Sequence, residues 1–146
     1  MIVFPIFEHF FLTQSLYEKM VMPVCQQFGL TYMEFTVLMF LQNNPKYDTA
    51  AQLVKIRRLS KSHVSVSVNG LQEKGLVEGV YYPGNKKTLH LRLTEAAKPV
   101  VEAGIKAQKE FGAMLVRGFS TEEVAQLQYL TDKLHENMKQ EGNGNG

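Results

Sequence analysis

The sequence predicts a mainly α-helical fold with one small β-hairpin, in which a winged helix-turn-helix core is flanked by helices at both ends of the chain. Three observations between Thr49 and Thr94 support this prediction. Two short helical patterns follow each other closely, two alternating strands come directly after them, and the basic turn Pro83 to Lys87 joins the strands. A helix-turn-helix motif followed by a hairpin is the arrangement of a winged helix.

Basic residues are concentrated in this central part of the chain. Residues 46–92 contain nine of the sixteen Lys and Arg residues but only three acidic residues, so this segment carries +6. The remaining residues carry −4, which gives the chain its net charge of +2. A basic face on an otherwise acidic chain is expected of a protein that binds a polyanion, and the partner that we predict is double-stranded DNA.

Composition sets limits on the class of protein. A chain of 146 residues that is 45% apolar can build the core of one domain. Its single cysteine, Cys25, excludes an intrachain disulfide framework and a Cys-rich zinc site, and favours a reducing, cytoplasmic location. The apolar opening Met1 to Phe7 is interrupted by Glu8 and is far shorter than the roughly 18 residues of a spanning helix, so we predict no membrane segment.

Apolar residues at helical spacing predict the first two helices. The first runs from Pro5 to about Gln27, and its aromatic stripe is too wide for a thin domain to cover, which suggests burial against a second subunit. The second opens at a capping box formed by Thr31 and Glu34 and ends near Asn43.

The helix-turn-helix motif consists of the third and fourth predicted helices. Thr49 caps the third helix, which reaches about Arg58. Ser60 caps the fourth helix, which reaches Lys74, and Gly75 supplies a left-handed stop.

The fourth predicted helix has one apolar face. Val64, Val68 and Leu71 recur at offsets of four and three, so they share the side that faces the core. The residues turned away from the core, and free to touch a partner, are Ser62, His63, Ser65, Val66 and Asn69.

Two strands and two helices complete the predicted fold. Alternating patterns predict strands over residues 76–82 and 88–93. A long helix follows over residues 94–117, and Ser120 with Glu123 forms a capping box for the last helix.

These elements predict three regions. Residues 1–30 and 95–140 form a helical dimerisation region, residues 31–94 form the winged helix-turn-helix DNA-binding domain, and the Gly- and Asn-rich residues 141–146 form a disordered tail. The terminal helices have little of the centre to pack on, so we expect them to pack across a twofold axis in a homodimer.

Four motifs occur in an order and spacing that together carry a family resemblance. They are Leu30-Thr31, Leu71 to Val77, Leu93-Thr94-Glu95, and Phe119 to Glu123. The chain thereby resembles the MarR family of bacterial winged-helix transcription regulators over roughly residues 7–138.

The resemblance implies a homodimer with interlocked terminal helices, with each recognition helix in a major groove and each wing along the adjacent backbone or minor groove. It also implies a repressor that releases DNA when a small-molecule effector changes the spacing of the two heads. The effector pocket would lie near aromatic residues such as Phe10, Phe11 or Tyr32, and its ligand is unknown.

Several positions depart from the pattern of the family. Its Asp-x-Arg element on the wing falls on Asn85-Lys86-Lys87, and a strand position that often holds Arg is Glu78. In the recognition helix, Val66 stands where Arg is frequent and Gly70 where a charged residue is usual. Because Gly inside a helix costs about 1 kcal/mol relative to Ala, Gly70 indicates a close approach of a neighbouring group.

Twelve residues form the predicted DNA-binding set. Cations and helix-start residues suit phosphates, whereas hydroxyl, imidazole and methyl groups suit base edges. We predict phosphate contacts from Lys55, Arg57, Arg58, Ser60, Lys61, Lys86 and Lys87, and base contacts from Ser62, His63, Ser65 and Val66, with Asn85 on the wing completing the set.

Two other interpretations compete with DNA binding. These residues are also compatible with the solvated face of an amphipathic helix, and the departures from the family pattern favour a winged-helix protein-interaction module that has lost operator recognition. The sequence contains no nucleophile and base set, no glycine-rich phosphate loop and no metal constellation, so we predict no enzyme and no cofactor. His9, His90 and His135 lack metal-ligand spacing and are expected to be surface or hydrogen-bonded histidines.

Cysteine chemistry is not part of the predicted function. Some MarR relatives sense peroxides with a cysteine near the start of the first helix, but that position is Phe7 in this chain. Cys25 lies late in the same helix and is expected to be a small buried hydrophobe.

Overall fold

The structure is a computed structural model that describes residues 5–143. The helices are α1 (Pro5–Phe28), α2 (Tyr32–Asn43), α3 (Ala50–Arg57), α4 (Lys61–Glu73), α5 (Lys98–Leu115) and α6 (Thr121–Asn143). The strands β1 (Val77–Tyr82) and β2 (Asn85–Leu93) form an antiparallel hairpin, and a short 3-10 turn (Glu95–Ala97) precedes α5. The predicted class, mainly helical with a small β wing, is confirmed. Within the described part of the chain, no helix has the length and apolar character needed to cross a membrane.

Contacts within the chain define two compact units. The first extends to Lys109 and contains α1 to α4, the hairpin and most of α5, whereas the second begins at Glu110 and contains α6. The predicted dimerisation region, residues 1–30 and 95–140, depends on a second subunit and stays a prediction.

The core of the first unit joins α1, α2 and α4. Phe35 and Leu38 of α2 and Leu71 of α4 are fully buried, and each such side chain stabilises the fold by about 1.5–3 kcal/mol. Val21 and Cys25 bring the second half of α1 into the same core. Burial raises the pKa of the Cys25 thiol, so this cysteine is an unreactive core residue, as its sequence context predicts.

Capping boxes begin three of the helices. The hydroxyl of Thr31 accepts the N–H of Glu34 at 3.0 Å, and the Glu34 carboxylate accepts the N–H of Thr31 at 2.9 Å. The same reciprocal pair joins Ser120 with Glu123 before α6. Both predicted boxes are therefore confirmed, and Thr49 with Gln52 forms a third at α3.

The wing turns more tightly than its sequence predicts. Tyr82 pairs with Asn85, so only Pro83 and Gly84 form the turn, and the expectation that β2 begins at Thr88 is wrong. Pro83 supplies the negative φ that the first central position of a type II turn requires. Gly84, with φ +82°, supplies the positive φ that the second central position requires. Two residues therefore reverse the chain where five were expected.

Two helix boundaries also differ from the prediction. The helix expected from Thr94 begins at Lys98, because Pro99 has no N–H to donate to the carbonyl of Glu95 and is accepted only in the first turn of a helix. At the other end of the chain, α6 continues to Asn143, so residues 141–143 are helical instead of belonging to a disordered tail. The remaining tail residues, 144–146, lie outside the described part.

An ion pair between a buried glutamate and a partly exposed lysine fixes α4 against the start of α2. Lys74, at the end of α4, places Nζ 2.8 Å from Oε1 and 2.9 Å from Oε2 of Glu34, and donates to the carbonyl of Gly29 at 2.8 Å. Glu34 is 4% exposed. A Cβ atom on Gly70 would lie 2.6 Å from Oε2 of Glu34, which confirms the close approach predicted at this glycine.

Replacing Gly70 with Ala therefore destabilises the fold, although Ala is the better helix former. The Glu34 carboxylate cannot retreat from the new methyl group without weakening its bonds to Lys74 and Thr31, so we expect the free energy of unfolding to fall by about 1–3 kcal/mol in urea titrations. Gly112→Ala is the matched control, because a Cβ there meets nothing within 4 Å, and it should be neutral or stabilising by up to about 1 kcal/mol. Equal effects of the two substitutions would contradict the steric role of Gly70.

Acid should weaken the same ion pair. Burial alone would raise the pKa of Glu34, but the bonds and charge of Lys74 together with the Thr31 N–H outweigh it, so the pKa lies below its usual range. A lowered folded pKa stabilises the protein fully above the unfolded pKa of about 4.3, and this contribution is lost as the pH falls through the folded pKa. Glu34→Gln should lower the free energy of unfolding at pH 7 by about 1–3 kcal/mol and lose less of its stability than the wild type between pH 5 and pH 3. Parallel pH profiles of the two proteins would contradict this assignment.

Candidate nucleic-acid interface

All twelve residues of the predicted DNA-binding set are exposed. They lie in three segments of the first unit, which are the end of α3 with the following turn, the first two turns of α4, and the tip of the wing. Exposure is a requirement for contact with a partner, and which of these residues touch DNA stays a prediction.

The turn between α3 and α4 presents two arginines. Arg58 adopts the left-handed conformation, with φ 53°, and its N–H donates to the carbonyl of Val54 to end α3. The guanidinium of Arg57 lies 5.4 Å from the centre of the buried Phe40 ring, at a distance that allows a cation–π interaction. The charged end of Arg57 is thereby held beside this ring, while the residue as a whole stays exposed.

The start of α4 is held by serine hydroxyls. Ser60 Oγ accepts the N–H of His63 at 3.4 Å and lies 2.9 Å from Ser62 Oγ. This cap leaves the positive end of the helix dipole at the exposed surface, which is the arrangement that favours a phosphate.

The two faces of α4 are those that its spacing predicts. Val64 and Leu71 are fully buried and Val68 is 6% exposed. On the opposite side, Val66 is 70% exposed, a large fraction for an aliphatic side chain in the middle of a helix. The other residues of this outward face are Ser62, His63, Ser65 and Asn69.

The tip of the wing is organised by Asn85. Its Oδ1 accepts the N–H groups of Lys87 at 3.0 Å and Thr88 at 3.3 Å, and its Nδ2 donates to Thr88 Oγ1 at 3.4 Å. The side chain of Asn85 thus supports the tip from within, and contact between Asn85 and DNA stays a prediction. Lys86 and Lys87 extend from this tip into solvent.

Cations outside the predicted site form ion pairs with carboxylates. Lys74 is paired with Glu34, and Arg92 places Nη2 2.8 Å from Oε1 of Glu78 on the neighbouring strand. Among the described residues, no carboxylate lies within 4.0 Å of the six predicted phosphate-binding cations, which are Lys55, Arg57, Arg58, Lys61, Lys86 and Lys87. These six charges therefore remain available to an anion.

Sequence reasoning missed one cluster at the root of the wing. Asp48 Oδ1 lies 2.9 Å from Nδ1 of His90, and the ring of His90 stacks on Tyr82 with 3.8 Å between centroids. His90 is therefore a hydrogen-bonded histidine, as predicted, but its partner stands 42 positions earlier in the chain and the local sequence contains no signal for it. Residues 5–143 hold no group of three or more His, Cys, Asp and Glu side chains placed to bind a metal ion.

The residues expected near an effector pocket differ from those that line one cavity of the first unit. Phe10 and Phe11 are 54% and 63% exposed, whereas Tyr32 is half-buried. A cavity of about 590 Å³ lies instead between the end of α2 and the wing, where Tyr47 and Tyr82 are among its lining residues. The predicted effector pocket stays a prediction.

The central segment of the chain is similar to a known family. Residues 28–80, from the end of α1 through most of β1, match the MarR family model. The similarity to the MarR family thus spans the helix-turn-helix motif and most of the first strand of the wing.

Solved structures share the same fold. A MarR family transcriptional regulator from Listeria monocytogenes, crystallised with a 26mer DNA, is 20% identical and superimposes with a TM-score of 0.82 over 97% of this chain and 92% of that chain. A MarR protein from Peptoclostridium difficile is 19% identical, with a TM-score of 0.79 over 97% and 94% of the two chains. A MarR mutant from E. coli, complexed with operator DNA, is 20% identical, with a TM-score of 0.69 over 89% and 93%.

Arg58 offers a way to remove one charge of the interface without disturbing the fold. Because glycine adopts the left-handed conformation without strain, Arg58→Gly should unfold at the same temperature as the wild type or slightly above. The same variant should bind DNA more weakly, and its plot of log K against log salt should lose about 1.8 in slope if each of two protomers loses one phosphate contact. Lys98→Ala, which removes an exposed cation of α5, is the control and should leave the slope unchanged. An unchanged slope for Arg58→Gly would exclude Arg58 from the interface.

Proposed function

We propose that this protein is a member of the MarR family and a sequence-specific DNA-binding transcriptional regulator that acts as a homodimer. The observation that carries the proposal is the surface formed by the α3–α4 turn, the outward face of α4 and the wing tip, where six cations without carboxylate partners surround exposed hydroxyl, imidazole and methyl groups. Its similarity in fold to two proteins crystallised with DNA supports the same function.

The two kinds of side chain have different roles in this proposal. Cations of the turn and the wing bind phosphates and set the position of the protein on the duplex. The outward face of α4 enters the major groove, where the hydroxyl and imidazole groups bond base edges and Val66 contacts a thymine methyl group. Because Val66 takes the place of a frequent arginine, apolar contact replaces one charge at this position.

Exposed apolar side chains support the homodimer. In α6, five of them recur at spacings of three and four and share one face, and in α1 five lie close to the beginning of the helix. Groups of several exposed large apolar side chains are unusual on a monomer and mark interaction surfaces. They are Val124, Leu127, Leu130, Leu134 and Met138 in α6, and Ile6, Phe7, Phe10, Phe11 and Leu12 in α1.

A homodimer relates two reading surfaces by a twofold axis. Dimeric helix-turn-helix proteins read half-sites about 34–36 Å apart, so a small-molecule effector that changes this spacing releases the DNA. On this basis we propose that the protein is a ligand-responsive repressor. We also propose a cytoplasmic location, because the protein must have access to DNA.

Selection from a random DNA library followed by binding measurements tests the proposal. We expect the protein to enrich a two-part site, to bind the enriched duplex at two chains per site, and to prefer it about a thousandfold or more over a scrambled duplex at physiological salt. His63→Ala should alter the preference among related sites more than it alters non-specific binding, because a base contact carries sequence information.

Equal and weak binding to both duplexes at low salt would contradict the proposal. Such a result would leave a basic surface without sequence recognition, and a winged-helix protein-interaction module would become the better assignment.

A further inference from the structure

The cluster at the root of the wing connects three separate elements. Asp48 immediately precedes Thr49, the residue that caps α3, while Tyr82 ends β1 and His90 lies within β2. The Asp48 carboxylate approaches both strands, with Oδ1 2.9 Å from His90 Nδ1 and Oδ2 3.4 Å from the hydroxyl of Tyr82. A carboxylate thus ties both strands of the wing to the start of the helix-turn-helix motif.

Backbone and ring contacts reinforce this connection. The main-chain carbonyl of Asp48 accepts the N–H of Leu91 at 2.7 Å, which is the next residue after His90. The rings of Tyr82 and His90 lie nearly parallel, with 13° between their planes. This stacking contact joins β1 to β2 beside the Asp48 carboxylate. Because an ionised carboxylate only accepts hydrogen bonds, Nδ1 of His90 is the donor whether the imidazole is neutral or charged.

Packing alone does not fix the wing at this level. Val77 and Leu91 are buried at the base of the hairpin, whereas β1 and β2 are exposed from Tyr81 to Lys87. The cavity of about 590 Å³ between the end of α2 and the wing is lined by Asp48, Tyr82 and His90 among others, so the side chains beneath the wing are not closely packed there. At this level the contacts between the wing and the start of α3 are the hydrogen bonds of Asp48 to His90 and Tyr82 and the main-chain bond between Leu91 and Asp48.

Small rotations at the cluster produce large displacements at the tip. Lys87 and Lys86 lie three and four residues before His90 on the same strand, which corresponds to about 10–14 Å at about 3.4 Å per residue. A rotation of about 15° about the cluster would move the lysines by about 3 Å, which is the full length of a hydrogen bond.

We propose that Asp48 and His90 are positioning residues for DNA binding. They hold the wing so that its lysines reach the phosphate backbone while α4 lies in the major groove of the DNA. This inference rests on the proposed function. Neither residue needs to touch DNA, because each acts through Lys86 and Lys87.

A double-mutant cycle on the enriched duplex tests the proposal. His90→Leu keeps the bulk of the side chain but cannot donate to Asp48, and Lys86→Ala with Lys87→Ala removes the groups through which His90 acts. We expect the double lysine variant to raise Kd at least about tenfold and to reduce the salt slope by about 3.6, for four lysines in a dimer. His90→Leu alone should raise Kd about five- to tenfold and reduce the slope in the same direction. In the double lysine background, His90→Leu should change Kd less than about twofold, because coupled sites are not additive.

Rescue and stability measurements separate positioning from folding. His90→Asn restores a donor near the place of Nδ1 and should return Kd to within about twofold of the wild type. Melting curves of all variants show whether the domain is folded, and Asp48→Ala, carried through the same cycle, replaces His90→Leu if the latter is unfolded.

Two results would overturn the inference while leaving the proposed function intact. One is a His90→Leu effect of the same size with and without the wing lysines, and the other is weaker binding by His90→Leu with the salt slope of the wild type. Failure of the wild-type protein to enrich any sequence would instead reject the proposed function, and the inference with it.

Discussion

The ion pair between the buried Glu34 and Lys74 is the constraint on which the position of the recognition helix depends. It joins the last turn of α4 to the capping box of α2, and Gly70 allows the two helices to approach closely enough for the pair to form. A buried carboxylate that lost its partner would strongly destabilise the fold, so the contact admits little variation. The hydrophobic face of α4 then completes the attachment, and only its polar face remains available to a partner.

The distribution of charge follows from the same arrangement. Glu34, Glu78 and Asp48 are the partners of Lys74, Arg92 and His90, respectively. These contacts lie within the framework, and they join α2 to α4, β1 to β2, and the start of α3 to β2. The cations at the α3–α4 turn and the wing tip have no carboxylate of the described chain within 4.0 Å, so they remain available to an anion. The framework and the reading surface thereby differ in the pairing of their charges as well as in position.

Local patterns were sufficient to predict most of the fold. The boxes at Thr31 and Ser120 and the apolar spacing of Val64, Val68 and Leu71 are short-range signals, since capping and helix faces depend on residues three or four positions apart. The exposure of the predicted base-contacting residues of α4 follows from the same spacing. Boundaries were less predictable, because the start of β2 depends on the φ values of Pro83 and Gly84 and the start of α5 depends on a single missing N–H at Pro99.

Long-range pairs could not be predicted from the sequence. Glu34 and Lys74 stand 40 positions apart, and Asp48 and His90 stand 42 positions apart, so neither pair has a spacing that marks it. Gly70 was the one indirect signal, because a glycine in a helix suggests that something lies close to it. The wing-root cluster had no comparable signal, and it emerges only when α3 and both strands are placed together.

In the proposed function, one surface, formed by the α3–α4 turn, the outward face of α4 and the wing tip, meets DNA. Titration of the isotope-labelled protein with the enriched duplex, followed through the chemical shifts of its backbone amides, tests this claim directly. We expect the largest changes in residues 57–66 and 85–87, and small changes at the buried residues Val68 and Leu71 of α4. Large changes confined to α1 or α6, with the wing and α4 unaffected, would contradict it.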